Sequence, residues 1–318
     1  RDMQDIRMRM KQNYNKKIAG RTLGLIGLGL MGTPMANQLN QAGAKLRVWN
    51  RDKSKSSELS AKLDNIEVCK TPCEVPYGAD ATILMLTDAK AVESILFGSG
   101  ATAQGIANTL KPGSLVIDMG TTSVLKTRDF ARKFKEIGSE WVDAPVSGGT
   151  TAAESGSLTI MVGGSMKGFE RSLPWLKVLG ERITHVGETG AGQIAKSANQ
   201  MIVGLTIGAV AEAFTLARAN GVEPAKIREA LFGGFAHSRI LELHGERMIK
   251  EDFEGRAKCS IQRKDIKEAI ELAHASNCSL PGLETNLTLW DYMIEKNMGH
   301  LDHSALLLAV LDRKKQAP

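Results

Sequence analysis

One lysine stands near the start of a long, mostly apolar segment in the second half of the chain. Asn199 and Gln200 follow Lys196 at i+3 and i+4, so on a helix both amides share the face of the lysine. A lone lysine on a helix is usually a solvated surface residue. A lysine with amides stacked above it, on a helix otherwise suited to burial, is a candidate proton donor. The spacing leaves these two interpretations equally open.

A short turn in the middle of the chain offers polar groups of a different kind. Ser147, Gly148 and Gly149 follow a strand-like segment that ends at Asp143. A hydroxyl and exposed backbone N–H groups form a concavity that suits a small carboxylate. Judged by composition alone, a tight turn after a strand is the simpler interpretation.

A glycine-rich loop near the start of the chain has the order that a dinucleotide requires. A strand-like run at residues 22–26 leads into the loop, which consists of Gly27, Leu28, Gly29, Leu30, Met31 and Gly32. A helix-compatible stretch (33–42) and a second strand (45–49) follow. Gly27 permits a tight turn, Gly29 lets the backbone approach a pyrophosphate, and Gly32 lets the helix pack on the strand. The diphosphate would rest on unpaired N–H groups at the helix start, so the sequence predicts nucleotide binding.

The end of the second strand bears on which dinucleotide binds. NAD enzymes usually place Asp or Glu there to bind the ribose 2′-hydroxyl, whereas this chain has Asn50 and Arg51. Together with Lys53 and Lys55, Arg51 supplies positive charge that suits a 2′-phosphate. The alternatives are a solvated basic turn, or an Asp52 that turns inward toward the ribose. The sequence therefore favours NADP(H), with NAD(H) possible.

Strand-like and helix-like segments alternate through the first half of the chain. The strand candidates are residues 23–26, 46–49, 81–86, 115–118, 140–143, 158–162 and 184–186, and 125–137 is one of the helical patterns between them. Near-continuous apolar strands are expected when helices cover both faces of a parallel sheet. We therefore predict an α/β fold whose N-terminal domain, residues 18–187, is a Rossmann-type doubly wound sheet.

The second half of the chain has a helical pattern throughout. No Pro occurs from residue 190 to residue 220, small residues recur there, and Gly221 ends the stretch. A continuous helix over this span would be roughly 45 Å long. Helical periodicity returns at residues 224–231, 263–275, 281–295 and 304–313. We predict an all-helical domain over residues 188–318, joined to the sheet by the long helix, and a flexible extension at residues 1–17.

Charge and cysteine content exclude several classes of protein. The net charge is +6, of which residues 1–17 carry +4, so no nucleic-acid partner is predicted. The most apolar stretch, residues 201–211, is interrupted by Glu212 and is too short to span a bilayer. The four cysteines are scattered and have no partner His cluster, which is not a zinc-ligand pattern. We predict a cytoplasmic protein with free thiols, no metal and no membrane contact.

Three of these elements, in this order along the chain, resemble the signatures of the β-hydroxyacid dehydrogenase family. They are the glycine loop continued through Met35 and Ala36, the segment 143–149, and a Gly-x-Gly-x-x-x-Lys element that ends at Lys196. The run Arg263-Lys264-Asp265-Ile266 is similar to the family's Lys-Asp-Leu segment. The run Asp118-Met119-Gly120-Thr121 is similar to its Asp-x-Ser-Thr turn. The resemblance covers about residues 20–315.

The resemblance implies a role for each candidate residue. Beyond the glycine loop, Asn50, Arg51 and Lys55, the residues implied to contact the cofactor are Leu86, Thr87, Thr121 (on the nicotinamide side) and Lys264. Those implied to bind the substrate are Ser147, Gly148, Gly149, Asn199 and Gln200. Lys196 would stabilise charge on the carbonyl oxygen and donate a proton, without a metal. Asn199 is expected to orient the substrate, and Gln200 competes for that role because other branches of the family carry two Asn here.

Within the family, residues 233–239 and 302–305 and the ending Asn199-Gln200 most resemble the branch that reduces tartronate semialdehyde. The resemblance implies an NADPH-dependent reduction of a small semialdehyde or oxo acid, a carboxylate, to the hydroxy acid. The alternatives are 3-hydroxyisobutyrate, succinic semialdehyde or glyoxylate as the substrate, or a non-catalytic cofactor-binding module. His303 beside Asp302 either lines the active cleft or is the middle residue of a buried, capping Asp-x-Ser.

The long helix also predicts self-association. Its small residues and apolar positions, such as Ile202, Leu205 and Val210, would pack against a partner subunit. By family analogy the assembly would be a homodimer or a homotetramer.

Overall fold

The computed structural model describes residues 13–98 and 104–314. Of the extension predicted at residues 1–17, residues 1–12 lie outside this description, and residues 13–18 are helical. The chain forms two compact units, one that ends at Lys196 and one that begins at Ser197. The division therefore falls inside the long helix, whose first turn is hydrogen-bonded to the sheet of the first unit.

Among the described residues, the first unit contains a nine-stranded sheet. Its strands are β1 (Thr22–Ile26), β2 (Lys45–Trp49), β3 (Ile66–Val68), β4 (Ala81–Leu84), β5 (Leu115–Asp118), β6 (Glu140–Asp143), β7 (Val146–Ser147), β8 (Leu158–Gly163) and β9 (Gly180–Gly187). They lie in the order β3-β2-β1-β4-β5-β6-β8-β7, with β9 beside β8. Strands β1 to β6 are parallel, whereas β8 is antiparallel to β6 and β7. The predicted doubly wound α/β fold is confirmed.

Each strand overlaps one of the predicted strand candidates, with two exceptions. Every residue of β4 and β5 is buried, as expected for strands covered on both faces. The pattern does not predict β3 or β7, because three or two residues are too few to show periodicity. Strand β4 ends at Leu84 instead of residue 86, so Leu86 and Thr87 lie just beyond it.

Helices pack on both faces of the sheet. In the first unit they are Gly32–Gln41, Lys53–Lys62, Ala89–Phe97, Val124–Glu136, Gly149–Ser155 and Met166–Leu179. Neighbouring residues of a strand point to opposite faces, and accordingly Leu25 and Ile26 of β1 belong to different apolar clusters. The cluster around Leu25 includes Trp175, and the cluster around Ile26 includes Phe130.

The described part of the second unit is helical, as predicted. Its helices are the remainder of Ala191–Ala219, then Pro224–Leu231, Arg239–Lys250, Cys259–Ala275, Pro281–Glu295 and Leu306–Lys314. Phe214, Trp290 and Leu306 are buried in its core. The helix Arg239–Lys250 is not among the predicted elements; it begins where the Ser238 hydroxyl accepts a hydrogen bond from the Leu241 amide.

The helix Ala191–Ala219, called here the long helix, is the one described helix that is long and apolar enough to cross a membrane. A helix buried in a globular core meets the same criterion. Ile207, Ala211 and Phe214 of this helix are buried in the core of the second unit. Its length and composition are therefore accounted for, over much of its course, by packing within the chain.

Candidate functional site

The ends of five parallel strands lie side by side at one edge of the sheet in the first unit. Their terminal residues are cross-strand neighbours in the order Trp49, Ile26, Leu84, Asp118 and Asp143. Each candidate residue of the first unit other than Lys55 and Lys196 lies within a few positions of one of these ends. In open α/β sheets, ligands bind outside the carboxyl ends of the strands, so this edge is the candidate functional site.

The glycine loop follows β1 at this edge. Gly27 has a φ of 101°, and a Cβ on Gly32 would collide with the Gly27 carbonyl oxygen. A Cβ on Gly29 would have no neighbour within 4 Å, so the backbone there is open to a ligand. The helix Gly32–Gln41 begins with neither a side-chain cap nor an acidic residue in its first turn. The Thr33 amide donates to the Gly29 carbonyl at 3.1 Å and Pro34 has no N–H. The Gly32 amide at the junction of loop and helix is therefore the helix amide left for an anion, which fits the pyrophosphate of a dinucleotide.

Asn50 and Asp52 at the end of β2 both have structural partners. The Asn50 side-chain oxygen accepts from the Leu28 amide at 2.9 Å, which ties the glycine loop to β2. The Asp52 carboxylate accepts from the amide and the hydroxyl of Ser54 and caps the helix Lys53–Lys62. These hydrogen bonds lower the pKa of Asp52. Arg51 and Lys55 are exposed beside this cap.

The turn after β5 packs against the segment after β4. A Cβ on Gly120 would lie 2.6 Å from the carbonyl oxygen of Leu86, so the predicted cofactor residues of these two segments are adjacent. Asp118 accepts from the Gly120 amide at 3.1 Å and from the Thr122 hydroxyl at 2.6 Å. Burial raises the pKa of Asp118 to about 7, against the opposing effect of these hydrogen bonds. Thr121 is held between the two bonded residues.

The other strand end, Asp143, connects the sheet to the long helix. Its carboxylate accepts from the amides of Gly190 and Gln193 at 2.8 and 3.0 Å. The Gln193 side chain in turn contacts the turn after β5, because its amide nitrogen donates to the Gly120 carbonyl and its oxygen accepts from the Thr122 amide. The start of the long helix is thereby fixed at the same edge as the glycine loop.

The predicted carboxylate-binding turn follows β6 in the sequence and begins at the end of the short strand β7. Ser147 ends β7 opposite Thr159 of β8, and Gly148 and Gly149 both have positive φ values. The helix Gly149–Ser155 starts there without a side-chain cap. The turn therefore presents a hydroxyl and uncapped amides, which are the groups that the sequence analysis assigns to a carboxylate.

The lysine and its two amides lie on the long helix, on either side of the division between the units. Lys196 is the last residue of the first unit and is buried. In the second unit, the Gln200 amide nitrogen donates to Asp265 at 2.8 Å and its oxygen accepts from Asn199 at 2.8 Å. Lys264 lies beside Asp265, with its ammonium 3.4 Å from the carboxylate. The Gln200 amide is therefore engaged at both ends.

His303, which the sequence leaves between the active cleft and a capping motif, pairs with His244 in the second unit. The Nε2 atoms of His244 and His303 lie 2.6 Å apart, a hydrogen-bond distance. Asp302 accepts from the Ser304 amide and from the Ala257 amide, and Arg247 lies 3.3 Å from it. The capping interpretation of Asp302 is confirmed. A nearby cation and a direct N–H···N contact fit a hydrogen-bonded pair better than ligands of a metal ion.

Three supporting residues of the site are not assigned any role by the sequence analysis. They are Asp118, Asp143 and Gln193, and all three are buried. A carboxylate directly after apolar strand residues, as at Asp118 and Asp143, is a visible signal, because burial of a charge requires partners. Gln193 carries no such signal, since its partners at residues 120 and 122 are about 70 positions away in sequence.

Comparison with known proteins covers both units. Residues 22–187 match the family described as the NAD binding domain of 6-phosphogluconate dehydrogenase. Residues 190–310 match the family described as NAD-binding of NADP-dependent 3-hydroxyisobutyrate dehydrogenase.

Individual relatives are similar over nearly their whole length. The chain is 42% identical to 2-hydroxy-3-oxopropionate reductase of Escherichia coli K12 over 91% of this chain and 96% of the relative. It is 33% identical to 2-(hydroxymethyl)glutarate dehydrogenase of Eubacterium barkeri, over 90% and 93% of the two chains. The solved structure of 3-hydroxyisobutyrate dehydrogenase from Mycobacterium tuberculosis with L-serine matches with a TM-score of 0.82 and 26% identity, over 91% and 99% of the two chains. Matches of this extent show that the chain is an NAD(P)-dependent oxidoreductase of the β-hydroxyacid dehydrogenase family.

Proposed function

We propose that the chain reduces a small semialdehyde of the 2-hydroxy-3-oxopropionate (tartronate semialdehyde) type to its hydroxy acid with NADPH. The observation that carries this proposal is the joining of three elements at one sheet edge: the glycine loop, the turn at residues 120–122 and the start of the helix that bears Lys196. The 42% identity to a 2-hydroxy-3-oxopropionate reductase supports the choice of substrate.

The preference for NADPH rests on the residues after β2. Asp52 caps a helix by accepting from the amide and the hydroxyl of Ser54 with one carboxylate oxygen, so its position is accounted for without a contact to a ribose hydroxyl. Arg51 is exposed beside it and suits the 2′-phosphate, because a guanidinium matches phosphate geometry. Lys55 adds a second positive charge one turn into the helix.

The bound nicotinamide supplies a hydride to the aldehyde carbon. The residues proposed to seat the nicotinamide and the rest of the cofactor are Leu86, Thr87 and Thr121 of the first unit and Lys264 of the second. In the first unit the support is the contact of Gly120 with Leu86, which places the segments of three of these residues together. For Lys264 the support is the resemblance of its segment to the family.

Lys196 is proposed to stabilise the negative charge that grows on the carbonyl oxygen and to donate a proton to it. An ammonium group does both without a metal, and its effect is larger in a buried site than in water. The burial of Lys196 supports this role, since a solvated surface lysine is the alternative. In the reverse direction the neutral amine would act as the base.

The substrate carboxylate is proposed to bind Ser147, Gly148 and Gly149. Asn199 is proposed to orient the substrate, with Gln200 in a supporting role. The support is that Gln200 uses both ends of its amide within the second unit, with Asn199 and Asp265 as partners.

A substrate panel tests the proposal. We expect kcat/KM to be highest for 2-hydroxy-3-oxopropionate with NADPH, against glyoxylate, succinic semialdehyde and the oxidation of 3-hydroxyisobutyrate, each with both cofactors. Removal of a general acid costs about 10²- to 10⁴-fold, so Lys196→Ala should lose that much kcat and still bind NADPH. An exposed lysine, Lys62→Ala, is the matched control.

Three results would change the assignment. Undiminished turnover by Lys196→Ala would remove the proton donor. A higher kcat/KM for another acid would reassign the substrate. Binding of NADPH without turnover of any acid would favour the non-catalytic module.

We also propose that the chain self-associates through the long helix. Of the apolar positions considered for this contact, Val210 is instead buried in the core of its own chain and Leu205 is partly buried against it. Ile202 and Leu216 are 65% and 67% exposed. They are 14 residues apart, close to four turns, and therefore lie on one side of the helix. A second copy of the chain is the proposed partner of this side.

A further inference from the structure

Two buried side chains of the first unit, Asp143 and Gln193, join the start of the long helix to the sheet edge. We propose that both are positioning residues, which hold Lys196 at a fixed place relative to the turn at residues 120–122. The inference rests on the proposed function, because it concerns how the proposed proton donor is held.

Asp143 satisfies the first amides of the long helix. Its Oδ1 accepts from the Gly190 amide at 2.8 Å and its Oδ2 from the Gln193 amide at 3.0 Å. These amides have no partner within a helix, and a carboxylate there also interacts favourably with the helix dipole. Because two separate oxygens are used, the contact fixes the helix start against β6 both along the helix axis and in rotation about it.

Gln193 fixes the turn that follows β5. Its side-chain nitrogen donates to the Gly120 carbonyl at 2.8 Å, and its side-chain oxygen accepts from the Thr122 amide at 3.1 Å. On the same turn, Asp118 accepts from the Gly120 amide and the Thr122 hydroxyl. The turn is thus bonded to the long helix through Gln193 and to β5 through Asp118. Gln193 is only 1% exposed, so water does not compete for these bonds.

The close packing of the backbone around this contact is an independent observation. A Cβ on Gly192 would lie 2.5 Å from the Met161 carbonyl oxygen and 2.7 Å from that of Asp143. A Cβ on Gly163 would lie 2.6 Å from the Gly192 nitrogen. The helix start therefore lies directly on the backbone of β6 and β8, and the Asp143 carboxylate is packed into the same contact.

The contact lies one turn from the proposed proton donor. Lys196 is three residues after Gln193, about 4.5 Å further along the helix axis. A misplacement of about 1 Å at a reacting group can cost roughly 100-fold in rate. Loss of the Gln193 bridge should therefore lower kcat by moving Lys196 relative to the turn, while the charge of Lys196 is unchanged.

The test uses Gln193→Glu in the full chain. A charged glutamate still accepts from the Thr122 amide, but its second oxygen faces the Gly120 carbonyl and repels it. When protonated, the same side chain donates to that carbonyl and restores the bridge. We expect kcat about 30-fold or more below wild type at pH 8. The ratio of variant to wild-type kcat should recover toward pH 6; the ratio is the readout because Asp118 on the same turn, whose pKa is about 7, titrates in both proteins.

A kinetic isotope effect distinguishes positioning from a loss of folded protein. With NADPH deuterated at the transferred position, the isotope effect on kcat should rise in the variant, because hydride transfer becomes slower relative to product release. Partial unfolding lowers kcat without changing this isotope effect. Ser172→Ala is the matched control, since it removes one hydrogen bond from a buried side chain elsewhere in the first unit and should leave the isotope effect unchanged.

Amide hydrogen exchange tests the link without any substrate. In Gln193→Met, which removes the acceptor of the Thr122 amide, exchange should become faster both at Thr122 and in residues 190–193. Wild-type exchange in both segments, or a wild-type kcat, would overturn the proposal. Gln193→Met should lose kcat with no recovery at low pH, and if it does not fold, Gln193→Glu still decides. A wild type that turns over none of the acids would refute the proposed function, whereas the exchange result would still decide the bridge.

Discussion

The Nε2 atoms of His244 and His303 lie 2.6 Å apart, and the planes of the two rings cross at 61°. A hydrogen bond at this distance requires a proton on one nitrogen and a lone pair on the other. Burial, then His303 and Arg247, lowers the pKa of His244 to about 3, against the opposing effect of Asp302. Burial also lowers the pKa of His303. The folded chain therefore holds both rings neutral at neutral pH.

This pair predicts a loss of stability in acid. Between about pH 6.5 and pH 3 the unfolded chain binds more protons at His244 than the folded chain does. The contribution of the neutral His244 to the stability of the folded chain is therefore full above pH 6.5 and is lost as the pH falls. One histidine with such a lowered pKa decreases the free energy of unfolding by about 2 kcal/mol as the pH falls from 6.5 to 5. Urea unfolding of His244→Gln across this range should show a smaller pH slope than the wild type. His300→Gln, at an exposed position, should keep the wild-type slope, and equal slopes in all three would contradict the prediction.

Two glycines of the loop should have different effects when substituted: one on cofactor binding and the other on stability. Gly29→Ala places its Cβ where no atom lies within 4 Å, so the melting temperature should stay within about 2 °C of wild type. The same Cβ blocks the approach of the pyrophosphate, and the Kd for NADPH, measured by fluorescence titration, should rise about tenfold or more. Gly32→Ala should instead lower the melting temperature, because its Cβ collides with the Gly27 carbonyl.

The control for these variants is Gly282→Ala, which is equally open and lies in the second unit. It should change neither the melting temperature nor the Kd. A Gly29→Ala variant that binds NADPH as tightly as wild type would show that the cofactor does not lie over this loop.

Loss of the Arg51 side chain should weaken the preference for NADPH over NADH. A hydrogen bond to a charged group contributes about 1.5–3 kcal/mol, so Arg51→Ala should raise the KM for NADPH by roughly 10- to 100-fold. The KM for NADH should change by less than about threefold, because that cofactor lacks the 2′-phosphate. Lys62→Ala, at the C-terminal end of the helix Lys53–Lys62 that follows Arg51, is the matched control. Equal effects on both cofactors would refute the assignment of Arg51 to the phosphate.

The sequence predicts those parts of the fold that depend on local pattern. The long helix, expected at residues 190–220, spans Ala191–Ala219 because glycines with positive φ, Gly190 and Gly221, bracket it. The contacts that organise the site join distant positions, such as Gln193 with Thr122 and His244 with His303. Local periodicity carries no information on such pairs, because their partners are set by how the strands and helices are arranged in space. The sequence therefore predicts the loops of the site, and the structure is needed to find what holds them together.

The exposed side of the long helix predicts the outcome of a sedimentation experiment. Ile202 and Leu216 together expose apolar surface that a second copy would cover, and burial of such side chains stabilises association by about 1.5–3 kcal/mol each. The wild type should sediment as a multiple of 34.3 kDa, and the double variant Ile202→Glu with Leu216→Glu should sediment as a single chain with its secondary structure retained. Ile261→Glu, an exposed apolar position on another helix of the same unit, should leave the assembly intact. A wild type that sediments at 34.3 kDa would exclude self-association through this helix, since the charge substitutions would then have no contact to disrupt.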